Sequence, residues 1–192
     1  MASRAFLFLL GSARRGGNTE QLARHCAAHL PTDLEQRWLR LSDLPLPPFQ
    51  DVRHCGDGRY PAPTGNEKIL LDATLAATDL VVASPLYWYS LSASTKLYLD
   101  YWTAWLRVPG ADFKARMRGK TLWAVTAYSV ENPAQTSNLF GALRLTADYL
   151  GMRFAGDLAT AGNRPGDFFN DTVALARAET FFGQATPGDG AQ

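Results

Sequence analysis

Along the chain, continuous apolar runs alternate with segments whose apolar residues recur every three or four positions. Ala5–Leu10 (AFLFLL) is apolar throughout and stops at Gly11, the pattern of a strand buried on both faces. DLVVASP from Asp79 and KTLWAVTAYS from Lys120 repeat it, and MRFAGDLATAG from Met152 adds a fifth strand. DLEQRWLRL, from Asp33, mixes in more polar residues and reads as an edge strand, second in chain order. Helices are predicted between the strands. Leu22, Cys26 and Leu30 fall on one helical face before Pro31, with Asn18 as the expected N-cap and Gln21 as its capping-box partner. Further helices are expected around Glu67–Ala77, over Ser92–Leu106, over Gln135–Leu150 up to Gly151, and over Gly166–Phe182. Pro45–Gly65 has no period and is rich in Pro and Gly, so it reads as a long loop.

Five strands separated by helices predict an α/β fold: a doubly wound parallel sheet with right-handed crossovers and helices on both faces. The edge-like second strand favours the order 2-1-3-4-5, which makes the first and third strands neighbours. The topological switch then lies between their C-terminal ends, where ligands bind in such sheets. The two loops with the densest chemistry, Gly11–Asn18 and Ser84–Ser92, follow those two strands and should face each other there. One domain is expected over residues 1–182, with 183–192 (GQATPGDGAQ, from Gly183) as a disordered tail.

Composition narrows the setting. The 192 residues are 46% hydrophobic and 19% charged, with a formal net charge of +1. That is ordinary for a soluble domain and offers no field for nucleic acid or an anionic membrane. Two cysteines, Cys26 and Cys55, are too few for a disulfide framework, so a reducing, cytoplasmic location is expected. The six-residue apolar start is too short for a secretory core or a membrane span, and no other run approaches eighteen apolar residues.

The first loop, GSARRGGNTE from Gly11, crowds glycines, arginines and hydroxyl or amide side chains before a helix. It lacks the lysine of a P-loop and the glycine spacing of a dinucleotide fingerprint. The remaining reading is a loop of backbone N–H groups wrapped around a single phosphate at a helix N-terminus. Ser12, Asn18 and Thr19 can donate to it, and Arg14 or Arg15 can supply charge. The second loop, SPLYWYSLSAS from Ser84, carries Tyr87, Trp88 and Tyr89 in succession, a natural border for a flat ring. Phosphate at one end and a flat ring at the other describe a mononucleotide.

With those two segments together, GSARRGGNT and SPLYWYSLSASTKLYLD, the chain resembles the flavodoxin-like NAD(P)H-dependent FMN reductase family over about Ala5 to Phe182. The resemblance implies a flavodoxin-like fold and FMN as cofactor, with NAD(P)H as co-substrate. It implies that Ser12, Arg14, Gly17, Asn18 and Thr19 bind the FMN phosphate. Pro85, Leu86, Tyr87 and Trp88 would border the isoalloxazine, and Ala127, Tyr128 and Ser129 would close its other side. The implied activity carries electrons from the nicotinamide nucleotide through FMN to a small acceptor such as a quinone or flavin. An electron carrier or a regulatory, protein-binding subunit without turnover are the competing readings. The iron–sulfur branch of the family carries clustered cysteines after the second strand. PPFQDVRHCGDG here holds only Cys55, so no metal cluster is expected.

No catalytic side chain is expected either, since the flavin supplies the chemistry. Ser84 and Ser129 lack a nucleophile-elbow context, and His25 and His29 lack the glutamate of a zinc-protease helix. Lys96 and Asp100 read as a helix-surface ion pair, and Cys26 as inert core. The basic stretch Arg107–Lys120 reads as a solvated face, with a contact for the 2′-phosphate of NADPH as the alternative, and GNRPGD (162–167) as another nicotinamide-nucleotide contact. Leu97 to Leu106 is apolar nearly all round, which predicts a second covered face on that helix and hence a homodimer or homotetramer.

Overall fold

The computed structural model describes residues 3–129 and 132–184. Five strands, β1 (Ala5–Leu10), β2 (Glu35–Arg40), β3 (Asp79–Ala83), β4 (Thr121–Tyr128) and β5 (Arg153–Ala161), form one parallel sheet in the order β2-β1-β3-β4-β5. The helices are α1 (Asn18–Ala28), α2 (Gly65–Ala76), α3 (Ala93–Trp105), α4 (Phe113–Met117), α5 (Ser137–Leu150) and α6 (Thr172–Thr180). Period-two alternation divides the strand residues between two cores. Phe6, Phe8, Leu10, Val81, Ala83, Trp123, Val125 and Leu158 face α1 and α6. Leu7, Leu9, Leu80, Val82, Leu122 and Ala124 face α2 to α5. Both faces of β1, β3 and β4 are thus dry, which is why those strands read as unbroken apolar runs.

Three details depart from the expected elements. Helix α1 begins at Asn18 with Gly17 as its N-cap and no capping side chain. The expected Asn18–Gln21 box does not form, because both side chains turn to other partners. The last predicted helix is interrupted: Asp171 caps α6 by accepting the Ala174 N–H at 3.0 Å, and tighter turns at Asp167–Asn170 and Phe181–Gln184 flank it. The turn at its end includes Gly183 and Gln184, while residues 185–192 of the expected tail lie outside the described residues. The short helix α4 lies in the basic stretch and buries Phe113 and Met117.

That stretch sits at the opposite end of the sheet from the C-terminal strand ends. Lys120 Nζ donates to the carbonyls of Leu75 (2.9 Å) and Ala77 at the end of α2. Burial, then the nearby Arg116, lowers its pKa.

The apolar excess on α3 is largely absorbed within the chain. The Tyr98 hydroxyl meets Thr74 Oγ1 at 2.6 Å, Tyr101 donates to the Pro47 carbonyl at 3.0 Å, and Trp105 Nε1 donates to Glu67 at 2.9 Å. The second covered face of α3 is therefore made by α2, α4 and the long Pro45–Gly65 loop. What α3 leaves open is a groove of about 350 Å³ against α5, with Leu99, Leu106, Leu145 and Tyr149 among its walls. Lys96 and Asp100 form an exposed ion pair at the same groove. Cys26 is buried in the α1 core, which pushes its thiol up to about 12, and Cys55 is exposed.

Candidate functional site

The C-terminal ends of β1, β3 and β4 are tied together by backbone and hydroxyl contacts. Gly11 N–H donates to the Ala83 carbonyl at 2.8 Å, Ser84 N–H to Val125 at 3.0 Å, and Leu86 N–H to Ala127 at 3.1 Å. Ser92, the N-cap of α3, donates its hydroxyl to the Gly11 carbonyl at 2.7 Å, and Ser94 donates to the same oxygen at 3.0 Å. This approach leaves no room at Gly11: a Cβ there would stand 1.9 Å from Thr95 Oγ1. The glycine that ends the first apolar run is thus required by α3 as much as by the turn.

Above these contacts lies a cleft of about 140 Å³. Ser12, Arg14, Gly17, Asn18 and Thr19 line one end; Pro85, Leu86, Tyr87, Ala127, Tyr128 and Ser129 line the other. These are the residues singled out from the sequence, Trp88 excepted. Gly162 and Asn163, read from the sequence as part of a nicotinamide contact, join the same wall.

The donor set at the first end suits a phosphate. Helix α1 has no capping side chain, so its first N–H groups, which lack intrahelical acceptors, are available to an anion. Ser12 is buried and its Oγ accepts the Arg14 N–H at 3.1 Å, which leaves its hydroxyl proton free to donate. The Arg14 guanidinium has no partner among the described residues, whereas Arg15 points away to Asp43 at 2.8 Å. Among the described residues, no Asp or Glu lines the cleft. Among these residues a dianion would meet donors and one cation, with no carboxylate opposing it. Residues and group fit.

Asn18 does other work. Its Nδ2 donates to the Arg164 carbonyl and its Oδ1 accepts the Gly166 N–H, both at 2.9 Å. The side chain clasps the 162–166 turn to the start of α1, which leaves its backbone N–H and the second Nδ2 proton for an anion. Gly162 is needed at that clasp, because a Cβ would come within 2.6 Å of Asn18 Nδ2. Asp167 accepts the N–H groups of Asn163 (3.0 Å) and Arg164 (2.7 Å), which hold its carboxyl below the ordinary range.

The aromatic loop does not run extended. Tyr87 and Ser90 pair as a two-residue hairpin, exchanging N–H···O bonds of 3.1 Å each way. Its tip is Trp88 (φ 49°) and Tyr89 (φ 62°), both left-handed. That is the geometry of a type I′ turn, for which Asn-Gly is the usual sequence. The turn lifts Trp88 out of the cleft, so that it is 94% exposed, and only Tyr87 remains in the wall. On the opposite wall Tyr128 is buried, and burial, then the charge of Asp171, raises its pKa.

Sequence reasoning missed the support beneath the first loop. Arg40, the last residue of β2, donates to the carbonyls of Ser12 (3.1 Å) and Arg14 (3.3 Å) and to Glu20 Oε2 (2.5 Å). Glu20 in turn accepts the Gly16 N–H at 2.9 Å and pairs with Arg24 at 3.0 Å. The available signal was an arginine ending an otherwise amphipathic edge strand.

Comparison with known proteins agrees with this geometry. Residues 5–164 match the family described as NADPH-dependent FMN reductase. A Bacillus subtilis (strain 168) protein named "Putative NAD(P)H-dependent FMN-containing oxidoreductase YwqN" is 32% identical over 170 residues, covering 88% of this chain and 91% of that one. Among solved structures, the Trp repressor binding protein from Bacillus subtilis is 25% identical, covers 94% of this chain and 99% of its own, and superposes with a TM-score of 0.74. An FMN-dependent NADH-azoreductase from Bacillus anthracis str. Ames Ancestor, solved in complex with FMN, is 12% identical with a TM-score of 0.65 over 95% and 99% of the two chains, and shows the shared fold.

Proposed function

This chain belongs to the NADPH-dependent FMN reductase family and is an FMN-dependent NAD(P)H oxidoreductase, and on that premise we propose that it passes electrons to a small, flat, conjugated acceptor, a quinone being the simplest. The observation that carries the reading is the two-ended cleft, with anion donors at one end and Tyr87, Tyr128, Pro85 and Leu86 at the other. In this proposal Ser12, Arg14, Thr19 and the backbone N–H groups of Gly17 and Asn18 hold the FMN phosphate. Pro85, Leu86, Tyr87, Ala127, Tyr128 and Ser129 border the ring, and Trp88 and Tyr89 flank the mouth on the acceptor side. When bound, FMN supplies the redox chemistry, accepting two electrons from the nicotinamide and releasing them to the acceptor.

The chain's own residues then bind, orient and exclude water. Pro85 and Leu86 sit on the rigid ends of β3, which the hydrogen bond to Ala127 fixes against β4, so the ring is positioned by the sheet and not by a mobile loop. No side chain in the cleft is required to move a proton. Nicotinamide and acceptor using one pocket in turn would give ping-pong kinetics. Steady-state NAD(P)H oxidation with a benzoquinone and an azo dye tests this. Parallel double-reciprocal lines with turnover of at least one acceptor are expected. Tightly bound flavin with no turnover would leave the electron-carrier or regulatory reading instead.

The homodimer expectation now rests on the α3–α5 groove, whose exposed Leu145 and Tyr149 a second copy would cover. A clean monomer by sedimentation at micromolar concentration would remove it.

A further inference from the structure

We propose that Glu20 and Arg40 are positioning residues for phosphate recognition, fixing which way the amides of the 12–16 loop face. The inference rests on the phosphate site proposed above. Arg40 is 9% exposed and Glu20 5%, and neither lines the cleft. A buried ion pair is a poor source of stability, because desolvating two charges offsets most of their attraction. A different role is visible in its partners. One guanidinium nitrogen of Arg40 collects the carbonyls of both Ser12 and Arg14.

In a trans peptide the N–H lies opposite the C=O of the same unit, and no peptide bond here is cis. Two carbonyls pulled toward Arg40 therefore turn the N–H groups of Ala13 and Arg15 away from it. Beside Arg40, Glu20 uses one oxygen, Oε2, both to take the Gly16 N–H out of play at 2.9 Å and to fix the other guanidinium nitrogen at 2.5 Å. The loop is held at Ser12, Arg14 and Gly16, every second residue, from behind. It is preorganised before any anion arrives, which reduces the ordering cost of binding. Arg24, on the other Glu20 oxygen, is half exposed and touches no loop carbonyl.

The test compares FMN with riboflavin, which lacks the phosphate, by quenching of flavin fluorescence in titrations of the full chain. Wild type must bind FMN more tightly than riboflavin; equal affinity would refute the phosphate site itself and is distinguishable from the outcomes below. Arg40→Lys, which cannot span two carbonyls and a carboxylate, should weaken FMN at least tenfold and change riboflavin less than twofold. Arg24→Gln should leave both unchanged. Because Arg40→Lys leaves a strained buried charge, the double variant Glu20→Leu with Arg40→Met removes both charges together and keeps the core folded. It should melt near the wild-type temperature and still lose the FMN preference. An intact FMN preference in either folded variant, or equal loss for FMN and riboflavin, overturns the proposal.

Discussion

Replacing Trp88-Tyr89 by Asn-Gly should make this protein more stable. The two residues sit at φ 49° and 62°, where an L side chain crowds the following carbonyl. That crowding costs about 1–2 kcal/mol per residue, and Asn and Gly relieve most of it. Against this stand the extra backbone freedom of an unfolded glycine, about 0.5–1 kcal/mol, and the half of Tyr89 that is covered. Trp88 is 94% exposed, so its removal loses almost no buried surface. The balance is a gain of about 1 kcal/mol, which in a domain of this size raises Tm by about 2–4 °C. Differential scanning calorimetry of the apoprotein reads it directly. A lowered Tm would mean that the aromatics carry packing the structure does not display. Sites that keep such strain do so for function. The same variant should therefore show a raised KM for the quinone while FMN affinity stays within about twofold, since neither side chain lines the cleft.

Gly11→Ala drives its Cβ against Thr95 Oγ1 and should lower Tm by several degrees. Adding Thr95→Ala, which removes that oxygen, should recover part of the loss, and strict additivity of the two would contradict the contact. Arg14→Ala should weaken FMN about tenfold or more without touching riboflavin, the loss of one charge-assisted hydrogen bond. Unchanged FMN affinity would hand the phosphate to the backbone alone. On acidification, Glu20 should destabilise the fold. Burial raises its pKa, but the hydrogen bond from Arg40, then those from the Gly16 N–H and Arg24, outweigh burial and leave it lowered. Its contribution is present above the ordinary carboxylate range, about pH 4.3, and is lost as pH falls through its own lower value. Half-buried Glu67 shifts the opposite way, so Tm against pH should be compared between wild type and Glu20→Gln; identical slopes below pH 4 would contradict the assignment.

The sheet order was legible because each strand states its burial. β1, β3 and β4 are apolar on both faces, and β2 exposes Glu35, Gln36 and Arg37 as an edge must. The site was legible because the switch point follows from that order and both loops carry unusual composition. The unread features are long-range. Asn18 looked like a local cap, but its partners lie 146 and 148 residues away. Trp88 looked like a cofactor wall because residue type does not reveal that Tyr87 and Ser90 pair and turn the tip outward. The α3 aromatics suggested a partner surface because a period cannot tell another chain from the aperiodic Pro45–Gly65 loop that covers Tyr101.

The Asn18 clasp also has a temporal side. The proposed anion loop comes early in the chain, yet the turn that Asn18 clasps, whose Gly162 and Asn163 line the cleft, is among the last parts of the domain to leave the ribosome. No partial chain lacking that turn can possess the finished cleft, however well its first strands have paired. Flavin capture at the proposed site should therefore wait until β5 is in place, and a nascent or truncated chain should sequester none. Once captured, a ligand that touches both the earliest and the latest segments opposes their separation, in proportion to its free concentration over Kd. Cofactor supply would then influence how long each newly made molecule survives, as well as whether it turns over.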